Sequence, residues 1–270
     1  METDSRDLYI DLVKRSLMNL PYLENEYSPI MPRGLHRRVV LAACQRLGVA
    51  LCHARRPVLE ERLQGKGHTS VAHTMVSLSR LDNLESCVKS VLEDDVPGDF
   101  IETGVLRGGC SILMRAILNA YRVTDRTVWL ADSFRGLPPP NSKQYPADRG
   151  ANWHTFLGGD VSLESVKRTF DRYGLLDDKV AFLQGWFRDT LPSAPIDRLA
   201  VLRMDGDMYE STMDALGNLY PKLSVGGYAI VDDYYLEPTR RAVHDYRAKH
   251  GIRDEIIDID GAGAYWRRGA

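Results

Sequence analysis

Four things are scarce or missing in this sequence, and each removes a class of function. There is no basic surplus: 35 Lys and Arg stand against 37 Asp and Glu, a net charge of −2. Nucleic acids and anionic membranes are held by clustered positive charge, so neither is an expected partner. There is no apolar run of membrane-spanning length. The stretch around Val39–Cys52 is broken by Gln45, Arg46 and Gly48, and the N-terminus is charged from Glu2 without an apolar signal core. There is no paired-cysteine pattern. Cys44, Cys52, Cys87 and Cys110 lack C-x-x-C spacing, which suits a reduced, cytoplasmic protein better than a disulfide framework. Finally, the dinucleotide fingerprint G-x-G-x-x-G is absent, which weakens a nicotinamide reading of any glycine loop.

What is present is ordinary for a globular protein: 44% hydrophobic and 27% charged residues in 270, without internal repeats. "DLYIDLVKRSLMNL" over 7–20 puts Leu8, Leu12, Val13, Leu17 and Leu20 near helical spacing, a face that the main body or a second chain must cover. Residues 21–70 are the least regular. "VAHTMVSLSRLDNLESCVKSVLED" over 71–94 predicts a strongly periodic helix.

From residue 98 strands and helices alternate. "DFIETG", "TVWLADS", "KVAFLQG", "RLAVLRMDG" and "GGYAIVDD" read as buried strands. The helices between them include "VSLESVKRTFDRYG", with Ser162 as N-cap and Gly174 as stop. "DEIIDID" and "GAYWRR" read as a closing hairpin. This alternation predicts an α/β fold with a doubly wound, mostly parallel sheet. The expected division is an N-terminal helical cap and dimerisation region over 1–95 and a core over 96–270.

In such sheets ligands bind at the carboxyl ends of the strands. The first strand ends in Glu102-Thr103-Gly104, and Gly108 and Gly109 open the next helix, an arrangement that admits a ligand close to free N–H groups. The second ends in Asp132, a carboxylate suited to ribose hydroxyls. The third ends in Gly185-Trp186-Phe187, aromatics that can flank an adenine. The fourth ends in Asp205-Gly206-Asp207 and the fifth in Asp232-Asp233. Carboxylates brought that close need a proton or a cation, and all-oxygen ligands favour Mg²⁺ or Ca²⁺. An EF-hand is excluded, because counting Asp205 as loop position 1 puts Glu210 where glycine is required.

"FIETGVLRGG", "TVWLADSFRGLP", "RYGLLDD", "GWFRDTLP", "LAVLRMDGDMYEST", "GGYAIVDDYY" and "AYWRR" together resemble the macrocin O-methyltransferase family. The likeness is dense from about residue 69 to 268 and weak over 22–68. It implies a seven-stranded methyltransferase core of Rossmann-like type. It also implies an S-adenosylmethionine (SAM)- and Mg²⁺-dependent, homo-oligomeric enzyme that methylates a sugar hydroxyl in antibiotic biosynthesis. By resemblance, Asp205, Asp232 and Asp233 are the metal ligands and Asp205 the general base. Glu102, Thr103, Gly104, Arg107, Gly108 and Ser111 hold the methionine part of SAM. Asp132 with Ser133 meets the ribose, and Gly185 with Trp186 the adenine. His68 and Met75 fall at acceptor positions, and "LPPPNSKQYPADRGANWH", within about 137–160, matches an active-site lid.

An alkyl hydroxyl attacks only once its proton leaves, which a neighbouring cation and carboxylate favour. A vicinal diol chelates well, as does a catechol, so a phenolic acceptor is the nearer alternative. His73 and His154 are the other candidate bases, and Tyr209, Tyr234 and Tyr235 follow the acids closely enough to shape an acceptor pocket. A nicotinamide-dependent oxidoreductase explains the glycine bend and Asp132 but leaves the acids idle. A non-catalytic nucleotide-binding protein is the third reading.

Overall fold

The computed structural model describes residues 4–30, 34–54, 58–66, 71–155 and 161–270. Helix α1 (Ser5–Leu17) starts where Asp4 accepts a hydrogen bond from the Arg6 amide at 3.1 Å. It buries Ile10, Val13 and Leu17, while Leu8 and Leu12 stay exposed. Strands β1 (Tyr27–Pro29) and β2 (Cys52–Ala54) pair antiparallel on either side of α2 (Leu35–Arg46). Then come α3 (Leu59–Leu63) and α4 (Leu78–Glu93).

The periodicity over 71–94 places the helix start too early. Ser77 caps α4 by accepting from the Arg80 amide at 3.1 Å. The residues before it are non-helical, and His73–Val76 lie along a cavity wall. Apolar spacing alone does not distinguish a helical turn from an extended segment that buries the same residues.

The main sheet uses β3 (Asp99–Thr103), β4 (Val128–Asp132), β5 (Val180–Gln184), β6 (Leu199–Met204), β7 (Leu223–Val231), β8 (Ile257–Asp258) and β9 (Ala264–Arg267), in the order β5-β4-β3-β6-β7-β9-β8. Pairing is parallel from β5 to β7 and antiparallel at β7–β9 and β8–β9. The expected seven-stranded, mostly parallel sheet is therefore present. Successive side chains feed opposite layers: Phe100 joins the core that includes Ile10, Leu81 and Ile112, and Ile101 joins the core that includes Leu216, Val243 and Trp266. The first layer contains α1, α4, α5 (Gly109–Ala120) and α6 (Leu163–Arg172); the second contains α8 (Tyr209–Leu219) and α9 (Glu237–His250). Short α7 (Phe187–Thr190) follows β5. Lys14 of α1 meets Glu85 of α4 at 2.7 Å, so the body of the molecule covers that part of the first helix.

From β3 the chain steps outward to β4 and β5, then returns to β6 on the other side of β3. That reversal opens a crevice at the strand ends.

Candidate active site

A cavity of about 440 Å³ occupies this crevice. Its near wall is the bend after β3. Gly104 has φ +87°, and a β-carbon there would fall 1.7 Å from the carbonyl oxygen of Asp205. At Gly109 a β-carbon would fall 2.6 Å from the His73 carbonyl oxygen. The main chains of three segments thus meet around positions that tolerate no side chain.

Glu102 is buried at the cavity floor. It accepts from the Ser111 amide at 2.9 Å, from the Ser111 hydroxyl, and from Arg203 Nη1 at 2.7 Å. Burial pushes its pKa up to about 7, against the pull of the Arg203 charge. Asp132 accepts from the Val105 and Phe134 amides, both at 2.7 Å, and burial raises its pKa too. The Leu106 amide is a further donor to it, and the Ser133 hydroxyl lies 3.4 Å from Oδ1. Gly185, Trp186 and Phe187 line the same cavity, as does Ser133, whose hydroxyl donates to the Gly136 carbonyl at 2.6 Å. Arg107 donates to the Ala72 carbonyl at 2.8 Å, tying the bend to the segment before α4. Of the expected methionine-site residues, Thr103, Arg107, Gly108 and Ser111 stand behind the cavity lining, while Glu102 and Gly104 belong to it.

The opposite wall carries the acids. Asp205, Asp207 and Asp233 bring one oxygen each within 4.8 Å of one another. Asp233 Oδ2 is buried and has no hydrogen-bond partner among the described residues. Burial, then the charge of Asp205, pushes Asp207 up to about 7, and burial with the neighbouring acids raises Asp233 well above the carboxylate range. An oxygen-only cluster with an orphaned buried lone pair fits a hard divalent cation.

Asp232 lines the same cavity, but both of its oxygens are taken up by arginines. Its Oδ1 accepts from Arg203 Nη2 at 2.6 Å and its Oδ2 from Arg80 Nη1 at 2.6 Å. The geometric trio is Asp205, Asp207 and Asp233, where the sequence reading names Asp205, Asp232 and Asp233. Asp232 joins the cluster through Arg203, which also reaches Asp205 Oδ2 at 3.0 Å. Arg80 continues the network to Asp260 at 3.1 Å.

The acceptor candidates divide. Met75, His73 and Tyr235 line the cavity. Tyr209 does not: its hydroxyl donates to Asp245 at 3.0 Å. Tyr234 is turned to His244, with Oη 2.8 Å from Nε2. His154 is exposed and outside the lining. None of these three is among the cavity-lining residues, whereas Tyr235, in the turn after β7, is. His68 lies outside the described residues. The sequence reading passes over Arg203, although a single cation inside the apolar strand "LAVLRM" is a signal, since such a charge is buried only with partners.

A family model described as Macrocin-O-methyltransferase (TylF) matches residues 6–268. An 8-demethyl-8-(2,3-dimethoxy-alpha-L-rhamnosyl)-tetracenomycin-C 4'-O-methyltransferase of Streptomyces olivaceus is 51% identical over 271 positions, covering 100% of this chain and 96% of that protein. A Mycinamicin III 3''-O-methyltransferase of Micromonospora griseorubida is 49% identical, covering 98% of this chain and 97% of that protein. Among solved structures, the O-methyltransferase NovP superposes with a TM-score of 0.84 at 47% identity, covering 98% of this chain and 100% of that one. With its strand-end cavity, its glycine bend and its clustered acids, this chain belongs to the macrocin O-methyltransferase family.

Proposed function

We propose that this protein transfers a methyl group from SAM to a hydroxyl of a deoxysugar carried by a glycosylated natural product, in antibiotic biosynthesis. The carrying observation is the meeting, across one cavity, of a glycine-bend nucleoside site with three carboxylates within 4.8 Å. A nicotinamide enzyme has no use for the second half.

Glu102 offers a buried carboxylate to the donor's ammonium, and Asp132 offers another to its ribose hydroxyls. Trp186 and Phe187 offer flat faces to the adenine, and Phe187 lies 3.5 Å from where a β-carbon at Gly206 would fall. Asp205, Asp207 and Asp233, with Asp232 in reserve, would hold Mg²⁺. The cation's contribution when bound is to lower the pKa of an acceptor hydroxyl. Asp205, held by Arg203 at one oxygen, takes the acceptor proton. Met75 and Tyr235 supply apolar contact to the acceptor. Residues 1–95 form the cap on this reading, and Gly136–Pro138 and Val161 line the cavity where the lid segment leaves and rejoins the core. A cytoplasmic homo-oligomer belongs to the same reading; the free cysteines Cys44, Cys52, Cys87 and Cys110 fit its reducing compartment.

The test is a methyl-transfer screen by mass spectrometry over glycosides with free vicinal diols, with and without EDTA. Transfer to a diol sugar that EDTA abolishes is the expected result. Methylation of catechols alone, or binding of NADH in place of S-adenosylhomocysteine (SAH), overturns it.

A further inference from the structure

One wall of the cavity is built by a histidine to which neither the sequence motifs nor the acid cluster gives a binding role. His73 sits in the non-helical segment before α4 and lines the cavity beside Gly104, Val105 and Gly109. Its main chain is clamped on both sides. The amide donates to the Leu17 carbonyl at 2.8 Å, and the carbonyl rests against Gly109, where even a β-carbon would not fit. Its ring is fixed as well. Nδ1 lies 3.0 Å from the Tyr173 hydroxyl, with the two rings edge-on at 75°.

When the Tyr173 hydroxyl donates to Nδ1, the neutral ring is left with its proton at Nε2. Burial raises the Tyr173 phenol to about 12, so it stays protonated and can donate. Burial, then the charges of Arg107 and Arg172, lowers the His73 pKa, so the imidazole is neutral near pH 7. A neutral imidazole that accepts at Nδ1 carries its proton at Nε2. Nε2–H has no hydrogen-bond partner among the described residues.

We propose that His73, oriented by Tyr173, binds the carboxylate of the methyl donor's amino-acid portion through Nε2–H. This rests on the donor-site reading above and deepens it. Glu102 lines the same cavity, suited to the ammonium on the same α-carbon, so the two opposite charges of one amino-acid group would meet a carboxylate and an N–H. The assignment uses Tyr173 as a positioning residue that acts only through the ring.

Isothermal titration with two ligands tests this without any turnover: SAH and its decarboxylated analogue, which keeps the ammonium, the thioether and the nucleoside. In the unaltered protein, removing the carboxylate is expected to weaken binding roughly 10- to 100-fold, the range for a hydrogen bond to a charged group. In His73→Ala the two ligands should bind within a few-fold of each other. His73→Gln keeps an N–H donor at about the Nε2 position and should restore most of the difference. Tyr173→Phe should weaken SAH and leave the analogue unchanged. A His73→Ala protein that loses affinity for both ligands equally, or for neither, overturns the proposal; circular dichroism on each variant identifies loss of fold. If the unaltered protein binds neither ligand, the donor-site reading fails, and this one with it.

Discussion

The two walls of the cavity are built on opposite principles. On the glycine-bend side, the acids are matched to donors: Asp132 holds two amides, and Glu102 holds Ser111 and Arg203. On the acid side, Asp205, Asp207 and Asp233 crowd together and an oxygen of Asp233 is left without a partner among the described residues. The first wall is preorganised, with its buried acids held by donors. The second is frustrated until a proton or a cation arrives. A binding surface can be complete in the free protein, whereas a centre that gathers negative charge carries a standing destabilisation relieved only in use.

The sharpest way to break this contrast is Asp205→Asn. It should lower methyl transfer roughly 10²–10⁴-fold if Asp205 is the base, while SAH affinity stays within a few-fold. A radiolabel transfer assay paired with calorimetry measures both. Full activity in the variant would remove Asp205 from the proton-transfer role.

Arg203 is where the two walls touch, since it meets Glu102, Asp205 and Asp232 at once. Arg203→Met leaves those three carboxylates facing one another. It should destabilise the protein by about 3–5 kcal/mol in urea unfolding. A change below 1 kcal/mol would mean that the walls are independent.

The frustrated wall also predicts a pH dependence. Asp207 has its folded pKa raised to about 7, so the unfolded chain releases that proton first as pH rises. Stability in the absence of divalent cation should therefore fall between about pH 4 and 7, by up to about 1.4 kcal/mol per pH unit for one such group. Asp207→Asn should reduce the slope to what Glu102, also raised to about 7, contributes with the same sign, and added Mg²⁺ should oppose it. A metal-free protein whose stability rises steadily over that range would contradict the assignment.

The smallest effect belongs to the satisfied wall. Asp132→Asn keeps one acceptor oxygen but turns an NH₂ group toward a backbone amide. SAH binding should weaken about tenfold, at the low end for a lost charge-assisted hydrogen bond.

The fold is legible in the sequence because one pattern repeats: an apolar strand, a turn and an amphipathic helix, with Ser162 capping α6 as its position suggests. The glycine bend and Asp132 are legible for the same reason, since topology places every strand end at one edge. The acid side is less so. Asp232 and Asp233 both line the cavity, and residue identity does not reveal that Arg203 and Arg80 take up the oxygens of Asp232 and leave Asp233 to the cluster. Asp207 enters the trio through a left-handed backbone at φ +58°, which its type permits but does not announce. Arg80 reaches Asp232 from 152 positions away, and no local pattern carries a contact of that span. Tyr209 and Tyr234 follow the acids in sequence yet turn to Asp245 and His244 on α9.

At position 104 a hydrogen atom serves as the spacer between two loops. Because the turn after β3 and the turn after β6 touch backbone to backbone there, the gap between the two walls is set by main chain rather than by side-chain choice. Residues around the rim are free to diverge toward new sugars while the span across which a methyl group would travel stays the same.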